Sequence, residues 1–519
     1  MSKPHDIAQR QEVLDVSQSF IVQAPAGSGK TSLLTLRFLH LLSIVNNPEE
    51  ILAITFTKKA AAEMHLRIIE SIKLATKPCP ENEFEAQTWL VAAKVLERDE
   101  ALQWHLLQNP NRLRVQTIDS LCAHLVKQMP ITAQFGSLPN IQQDASSLYT
   151  QAASNCLKEL DSNDRVGEAI RLLLTHVDNH LSRAEDLISS MLASRDQWLR
   201  HVLMSDSDAA KREALENVLT QTVESTLADI VRHLSQQQAD VLKDLLQFAA
   251  TNLSDKASPV CYLAEHLDEL DTSADSLNDW LILRDFLLTG AGTWRKQADA
   301  KMGFPPVSQA SNKDQKALYT DKKNDYKALL LALQENDELT EAMAWLRYLP
   351  SPGYSDQQWQ IIQALLLILP QAVAHLRLVF QQMGCVDFCE VSLSASRAIH
   401  DASGMTDVGL KLDYQLQHML VDEFQDTSET QFMLLKDLVA GWQEGDGRTL
   451  FLVGDPMQSI YRFRQAEVGL FLKTQQDGLG EVKNIKPVNI AVNFRSQEGV
   501  INWVNEAFSR IMPPSDNIF

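Results

Sequence analysis

The chain has 519 residues, a formal net charge of −20 at pH 7, 45% hydrophobic residues and six cysteines. That length exceeds a single hydrophobic core, so about three domains are expected. The cysteines follow no regular spacing, which argues against a disulfide framework and a zinc site. Cys385 and Cys389 could share one helix face, but two thiols without further ligands read as buried apolar side chains. No signal peptide opens the chain, and the longest apolar stretch, around Ala364 to Leu369, is too short to span a bilayer. No membrane role is therefore expected, and the cytoplasm is the expected compartment. The acidic balance runs against nucleic-acid binding as a global average, because Lys and Arg contacts to phosphate supply most non-specific affinity. Basic and acidic residues are nearly equal in number over residues 1–150, however, and a groove can be locally positive on an acidic protein.

In chain order, the first strong signal is an apolar run, Phe20 to Gln23, followed by Ala24-Pro25-Ala26-Gly27-Ser28-Gly29-Lys30-Thr31. Leu33, Leu34, Leu36, Leu39, Leu41 and Leu42 then recur at roughly helical spacing. Strand, glycine-rich turn and helix in this order make a phosphate-cradling loop, because backbone N–H groups at a helix N-terminus can face a triphosphate where glycines carry no Cβ. Lys30 would reach the β- and γ-phosphates of ATP, and Thr31 would help hold Mg²⁺. Ala24 stands where the pattern usually begins with glycine. Taken alone, the stretch also reads as a plain Gly-Ser turn before a helix.

Further strand-like runs follow at Ile51 to Phe56, Leu113 to Gln116, Met419 to Val421 and Leu450 to Val453, alternating with helical patterns. This predicts an α/β fold built on a mostly parallel sheet. The alternation stops from about Asp144 to Gln382, where Leu, Ala and Gln recur at helical period, as in Leu227 to Phe248 and Trp359 to Gln382. A large all-helical insertion between two halves of the core is expected there, with Ser355 as an N-cap. Within it, Thr293 to Lys327 is rich in basic residues, including Trp294-Arg295-Lys296, and Phe304-Pro305-Pro306 marks a loop. The stretch reads either as a DNA-contacting arm or as a solvated linker.

The run His418 to Val421 delivers Asp422 and Glu423 to a strand end, where doubly wound sheets place their ligands. Asp422 can hold Mg²⁺ through its water shell, and Glu423 can orient and deprotonate an attacking water.

Val421 to Thr427 (VDEFQDT) resembles motif II of the UvrD/Rep-type superfamily 1 DNA helicases, and other motifs arrive in that family's order. Gln9 occupies the position of the family's adenine-reading glutamine. Ile54 to Met64 and Thr117 to Cys122 resemble the first DNA-contact motifs, which include Phe56, Thr57 and Ser120. Val453 to Arg464 (VGDPMQSIYRFR) resembles motif III, and Asn493 to Ser496 (NFRS) motif IV. With Pro456 and Phe463, motif III is closer to the RecB/AddA-like exonuclease V branch. The resemblance implies a RecA-like motor domain with ATP and Mg²⁺ as cofactors, and single-stranded and duplex DNA as partners. It implies that Gln458 senses the γ-phosphate, that Arg495 is an arginine finger and that Phe494 stacks on adenine. Tyr461, Phe463 and Arg464 would contact the single strand, by stacking and charge. The expected division is 1–144 and 383–485 for a first RecA-like domain, 145–382 for the insertion and 486–519 for the start of a second. The later motifs of the second domain do not follow Ser496, so the chain is expected to be the N-terminal motor portion of a 3′–5′ helicase, poorly active alone. A nucleotide- and DNA-binding scaffold without turnover is the alternative. Other subunits of a helicase-nuclease complex are expected partners, in a nucleoid-associated cytoplasmic setting.

Overall fold

In the computed structural model, residues 5–128, 140–142, 144–204, 207–253, 257–266, 270–401, 404–460 and 466–511 are described. They form two compact units, Met1–Leu203 with Leu366–Glu506, and Met204–Leu365 with Ala507–Phe519.

The first unit is built on six parallel strands: β1 (Ser19–Gln23), β2 (Ile51–Thr55), β3 (Arg114–Thr117), β4 (His418–Val421), β5 (Thr449–Gly454) and β6 (Ile485–Asn489), in the order β6-β1-β5-β4-β2-β3. β2, β4 and β5 are buried along their whole length, as continuous apolar strands covered on both faces should be. Parallel pairing puts all six C-terminal ends on one edge, so the loops after Gln23, Thr55, Thr117, Val421, Gly454 and Asn489 share it. β6 is absent from the sequence expectation because Lys486 and Pro487 interrupt its apolar run. It pairs only with β1, and an edge strand tolerates a proline.

The helix Lys30–Leu42 follows β1 and is apolar on most of its circumference, packing into the core that also holds Phe20, Phe451 and Val453. Its Arg37 is fully buried between the rings of Phe20 and Phe451. The guanidinium donates to the carbonyls of Val13 (2.5 Å), Asp15 (3.0 Å) and Gln18 (2.7 Å), fixing the N-terminal segment to the core.

The helices Ser146–Leu157 and Arg195–Met204 belong mostly or wholly to this unit, although the sequence expectation placed them in the insertion beginning at 145. A buried ion network explains their place. Arg195 is fully buried and bridges Asp387 (2.6 Å) and Glu390 (3.3 Å), the Tyr149 hydroxyl donates to Asp387 (2.5 Å), and Arg397 reaches Glu390 (3.0 Å). Cys385 lies in a two-residue strand and Cys389 in the helix Phe388–Ile399, so the two do not share a helix face.

The second unit packs helices around Trp280, Phe286, Phe304, Tyr326 and Leu330. Leu227 to Phe248 is helical as expected and spans two helices. The helix Asp208–Arg232 ends before Ser235, whose side chain and Gln238 form a capping box that starts Gln236–Asn252. The basic stretch is partly core. Trp294 is buried and donates its indole N–H to Thr340 (2.8 Å), which corrects its expected DNA contact, and Phe304 is fully buried. Arg295 is half-buried with Nε on the Asp285 carbonyl (3.1 Å), whereas Lys296 is exposed.

The division between the units falls within the helix Asp356–Met383, which starts at the expected cap, Ser355, whose Oγ accepts from Gln358 N (3.3 Å). This helix is longer than its apolar centre suggested, and an 18-residue window reaches a mean hydropathy of 1.6, so by length and composition it could cross a membrane. Ile368, Ala372, Leu376 and Val379 on it are nevertheless buried against protein.

His418 opens β4 beneath the core, its Nδ1 2.8 Å from Thr449 Oγ1, and burial, with help from Arg37, depresses its pKa to about 4. The unfolded chain therefore takes up this proton near pH 6.5 and the folded chain only near 4, so stability falls as pH drops through that window. Between pH 7 and pH 5, wild type should lose about 2 kcal/mol more stability than His418→Gln, read from denaturant midpoints at both values. A wild-type-to-variant difference that does not change with pH would refute this.

Candidate active site

The turn after β1 is held by the Ala24 N–H, which donates to the Gly454 carbonyl (2.9 Å) at the end of β5. Ala24 is fully buried and lies outside the left-handed region, so no glycine is required there. Glycine is required farther along the loop, where Gly27 (φ +80°) and Gly29 (φ +83°) are left-handed. Gly29 caps the helix Lys30–Leu42, whose first turn carries no acidic residue, leaving a helix N-terminus suited to an anion. Pro25 and Thr31 are half-buried, Ala26 is exposed, and Ser28 is buried.

Facing the loop, β4 delivers Asp422 and Glu423. The Asp422 N–H continues the sheet by donating to the Ile54 carbonyl (2.8 Å), and its Oδ1 accepts from the Glu423 N–H (3.0 Å). Glu423 sits in the left-handed region (φ +52°), a costly conformation for a residue with a Cβ, and this turns its side chain onto Lys30, with Nζ 3.0 Å from Oε2. Burial and the neighbouring Glu423 push Asp422 up to about 7 despite Lys30, and burial pushes Asp426 up to about 6. The cluster is thus short of positive charge. A buried carboxylate of this kind suits a divalent cation, and Asp422 with Thr31 would hold Mg²⁺ there. Among the described residues no group of three or more ligating side chains is gathered for a metal, so the rest of the shell would come from phosphate and water.

Beyond the end of β5, Gln458 donates to the Asp455 carboxylate, and its N–H to the Asp455 carbonyl (2.9 Å). After β6 the chain crosses back over the phosphate loop. Asn493 Nδ2 donates to the Ala26 carbonyl (3.2 Å), the Phe494 N–H to the Gly27 carbonyl (2.7 Å), and Asn493 Oδ1 accepts from the N–H groups of Arg495 and Ser496. Arg495 is exposed beside Gly27. Phe494 is 59% exposed, with the Arg10 guanidinium 4.8 Å from its ring centre. Arg10 is held by Asp6 (2.9 Å), whose carboxylate also accepts from the N–H groups of Ala491 (3.2 Å) and Val492 (3.0 Å). Gln9 is exposed one residue away. Asp6 and Arg10 went unread in the sequence. Their i,i+4 spacing was the available signal, but nothing local shows that the pair clamps a segment some 480 residues on.

Phe56, Thr57 and Ser120 stand just after β2 and β3 on the same edge. Thr57 caps the helix Lys58–Leu74, accepting from Ala60 N (3.1 Å), and Ser120 Oγ is 2.8 Å from Thr117 Oγ1. Trp294, Arg295 and Lys296 belong to the second unit. Tyr461, Phe463 and Arg464 lie outside the described residues.

A glycine-rich loop between a parallel strand and a helix, faced by a strand-end Asp-Glu pair, defines the site of a RecA-like P-loop fold. Residues 6–478 match the UvrD/REP helicase N-terminal domain, and the chain belongs to that family. It is 24% identical to an ATP-dependent helicase/nuclease subunit of Clostridium novyi over 98% of this chain and 39% of that protein. It is 26% identical to the proteins of the same name from Desulfitobacterium hafniense (99% of this chain, 36% of that protein) and Listeria monocytogenes (95% and 38%). The chain thus spans well under half the length of these relatives.

A Cβ on Gly27 would lie 2.5 Å from Asn493 Oδ1 and 2.8 Å from Arg495 Cβ, on a backbone that already disfavours it. Gly27→Ala should weaken Mg·ATP binding at least about tenfold, a loss of roughly 1.4 kcal/mol, read by fluorescence titration with a labelled analogue. Wild-type affinity in this variant would mean that the loop does not cradle phosphate.

Proposed function

We propose that this chain is the motor portion of an ATP-dependent DNA helicase or translocase of double-strand-break repair, moving 3′ to 5′. The observation that carries the reading is the convergence of Lys30, Asp422, Glu423 and the segment Asn493–Ser496 on one turn of backbone. A pure binding module has no use for a strained glutamate turned into a phosphate loop.

In the proposed reaction Lys30 leaves Glu423 for the β- and γ-phosphates of ATP. Glu423 then accepts a proton from the attacking water, the water oxygen bonds to the γ-phosphorus, the bond from that phosphorus to the bridging oxygen breaks, and ADP departs. Thr31 and Asp422 would hold a Mg²⁺ ion, which would supply neutralising charge. Arg495 meets the γ-phosphate, Gln9 and Phe494 hold the adenine, and Gln458 passes loss of the γ-phosphate towards the DNA side. Phe56, Thr57 and Ser120, with Tyr461, Phe463 and Arg464, are assigned to the single strand, and Arg295 and Lys296 to duplex phosphate, braced by buried Trp294. Residues 1–144 and 383–485 are assigned to the first RecA-like domain, 145–382 to its helical insertion and 486–519 to the start of a second, although β6 and the helices up to residue 203 group with the first unit. The relatives are named as helicase/nuclease subunits, which supports work alongside other subunits of such a complex, in the cytoplasm on nucleoid DNA.

A second reading is a nucleotide- and DNA-binding scaffold with little turnover of its own. Glu423→Gln separates the two. Under the motor reading it keeps ATP affinity within a few-fold and lowers DNA-stimulated turnover by about 100-fold or more. Equal turnover in wild type and variant would leave the scaffold.

The duplex assignment has its own test. Replacing Arg295 and Lys296 by Ala should reduce the slope of log affinity against log salt for duplex by about 2, with no change in sequence preference. An unaltered slope would assign both side chains to the surface of the helical unit alone.

A further inference from the structure

Gln425, inside the VDEFQDT stretch, is 1% exposed and uses both ends of its amide. Nε2 donates to Glu423 Oε2 (2.9 Å) and to Asp426 Oδ2 (3.3 Å), while Oε1 accepts from the Asp455 N–H (2.9 Å). A backbone N–H needs an acceptor and ionised carboxylates need donors, so only this orientation of the amide satisfies its surroundings. The space is made by the last residue of β5: a Cβ on Gly454 would lie 2.4 Å from Gln425 Oε1.

Two donors therefore converge on one oxygen of Glu423, Lys30 Nζ at 3.0 Å and Gln425 Nε2 at 2.9 Å, and Oε1 accepts no bond among the described residues. Only one of the two donors is the group that phosphate claims. We propose that Gln425 is a positioning residue for ATP hydrolysis: it holds Glu423 Oε2 after Lys30 has turned to the phosphates, so that Oε1 is the oxygen that takes the proton of the attacking water. The proposal rests on the motor reading above. Gln425 gives up no proton itself. Through Asp455, whose carboxylate holds Gln458, it also ties the carboxylate that does the chemistry to the residue assigned to sense the γ-phosphate.

The test compares wild type, Gln425→Glu, Gln425→Met, Glu423→Gln and the double variant Gln425→Glu with Glu423→Gln, in the complete protein with single-stranded DNA. Gln425→Glu keeps an acceptor for the Asp455 N–H and loses the donor to Glu423; Gln425→Met loses both at similar volume. Both should lower kcat at least about tenfold with KM and the affinity for a labelled ATP analogue nearly unchanged, and Gln425→Glu should cost nothing further in the Glu423→Gln background. An unchanged kcat, a rise in KM at constant kcat, or losses that multiply in the double variant would overturn the proposal. Loss of the folded state in both Gln425 single variants, seen in their melting temperatures, would assign the amide to packing and overturn it too. Wild-type turnover insensitive to Glu423→Gln would instead overturn the motor reading, and the proposal with it.

Discussion

Lys30 is the ammonium against which the acidic end of the sheet is balanced. Glu423 pairs with it directly, its charge also reaches Asp422 and Asp426, and Asp422 is pushed up to about 7 and Asp426 to about 6 even in its presence. Burying charges without full compensation costs several kcal/mol per ion, and that cost is what raises the proton affinity of Asp422 and Asp426. A cation arriving with a phosphate ligand would relieve both sides, giving charge to the carboxylates and releasing Lys30 to the anion. Ligand recognition and charge relief are then one event.

That imbalance is sustained by the fold around it. Parallel strands buried on both faces bring the ends of β1, β4 and β5 together with little freedom to splay. Arg37 anchors the N-terminal segment through three carbonyls, and the Asp6–Arg10 pair carries it on to the backbone at Ala491 and Val492. The segment Asn493–Ser496 is thereby held against Gly27 from two sides. Farther off, the buried Arg195 network binds the helices after residue 145 to Asp387 and Glu390, where removing one partner would strand an ion in the interior.

The phosphate loop and the Asp-Glu pair were legible because each is a local pattern: an apolar strand, then residues whose backbone or charge requirement lies within a few positions. The parallel α/β class followed from the same alternation. What sequence concealed depends on distant packing. The Lys30–Glu423 pair and the Asp6 clamp join positions hundreds of residues apart. β6 was hidden by Pro487, which is tolerated only because the strand is an edge. Helical period ran through the break at Ser235, since the apolar pattern resumes on the far side of the cap. Trp294 looked like part of a basic surface because its neighbours are charged, and only the tertiary core shows it buried against Thr340. Gln425 was visible as a letter, but its bond to Asp455 needs the end of β5 in place.

The most direct measurement is a calorimetric titration of wild type and Lys30→Ala with a non-hydrolysable Mg·ATP analogue. The account predicts one site per chain in wild type, and in the variant an affinity lower by about 100-fold or more, roughly 3 kcal/mol. Equal affinity in the two proteins would contradict it, because the charge around which the site is arranged would then have no part in binding the nucleotide.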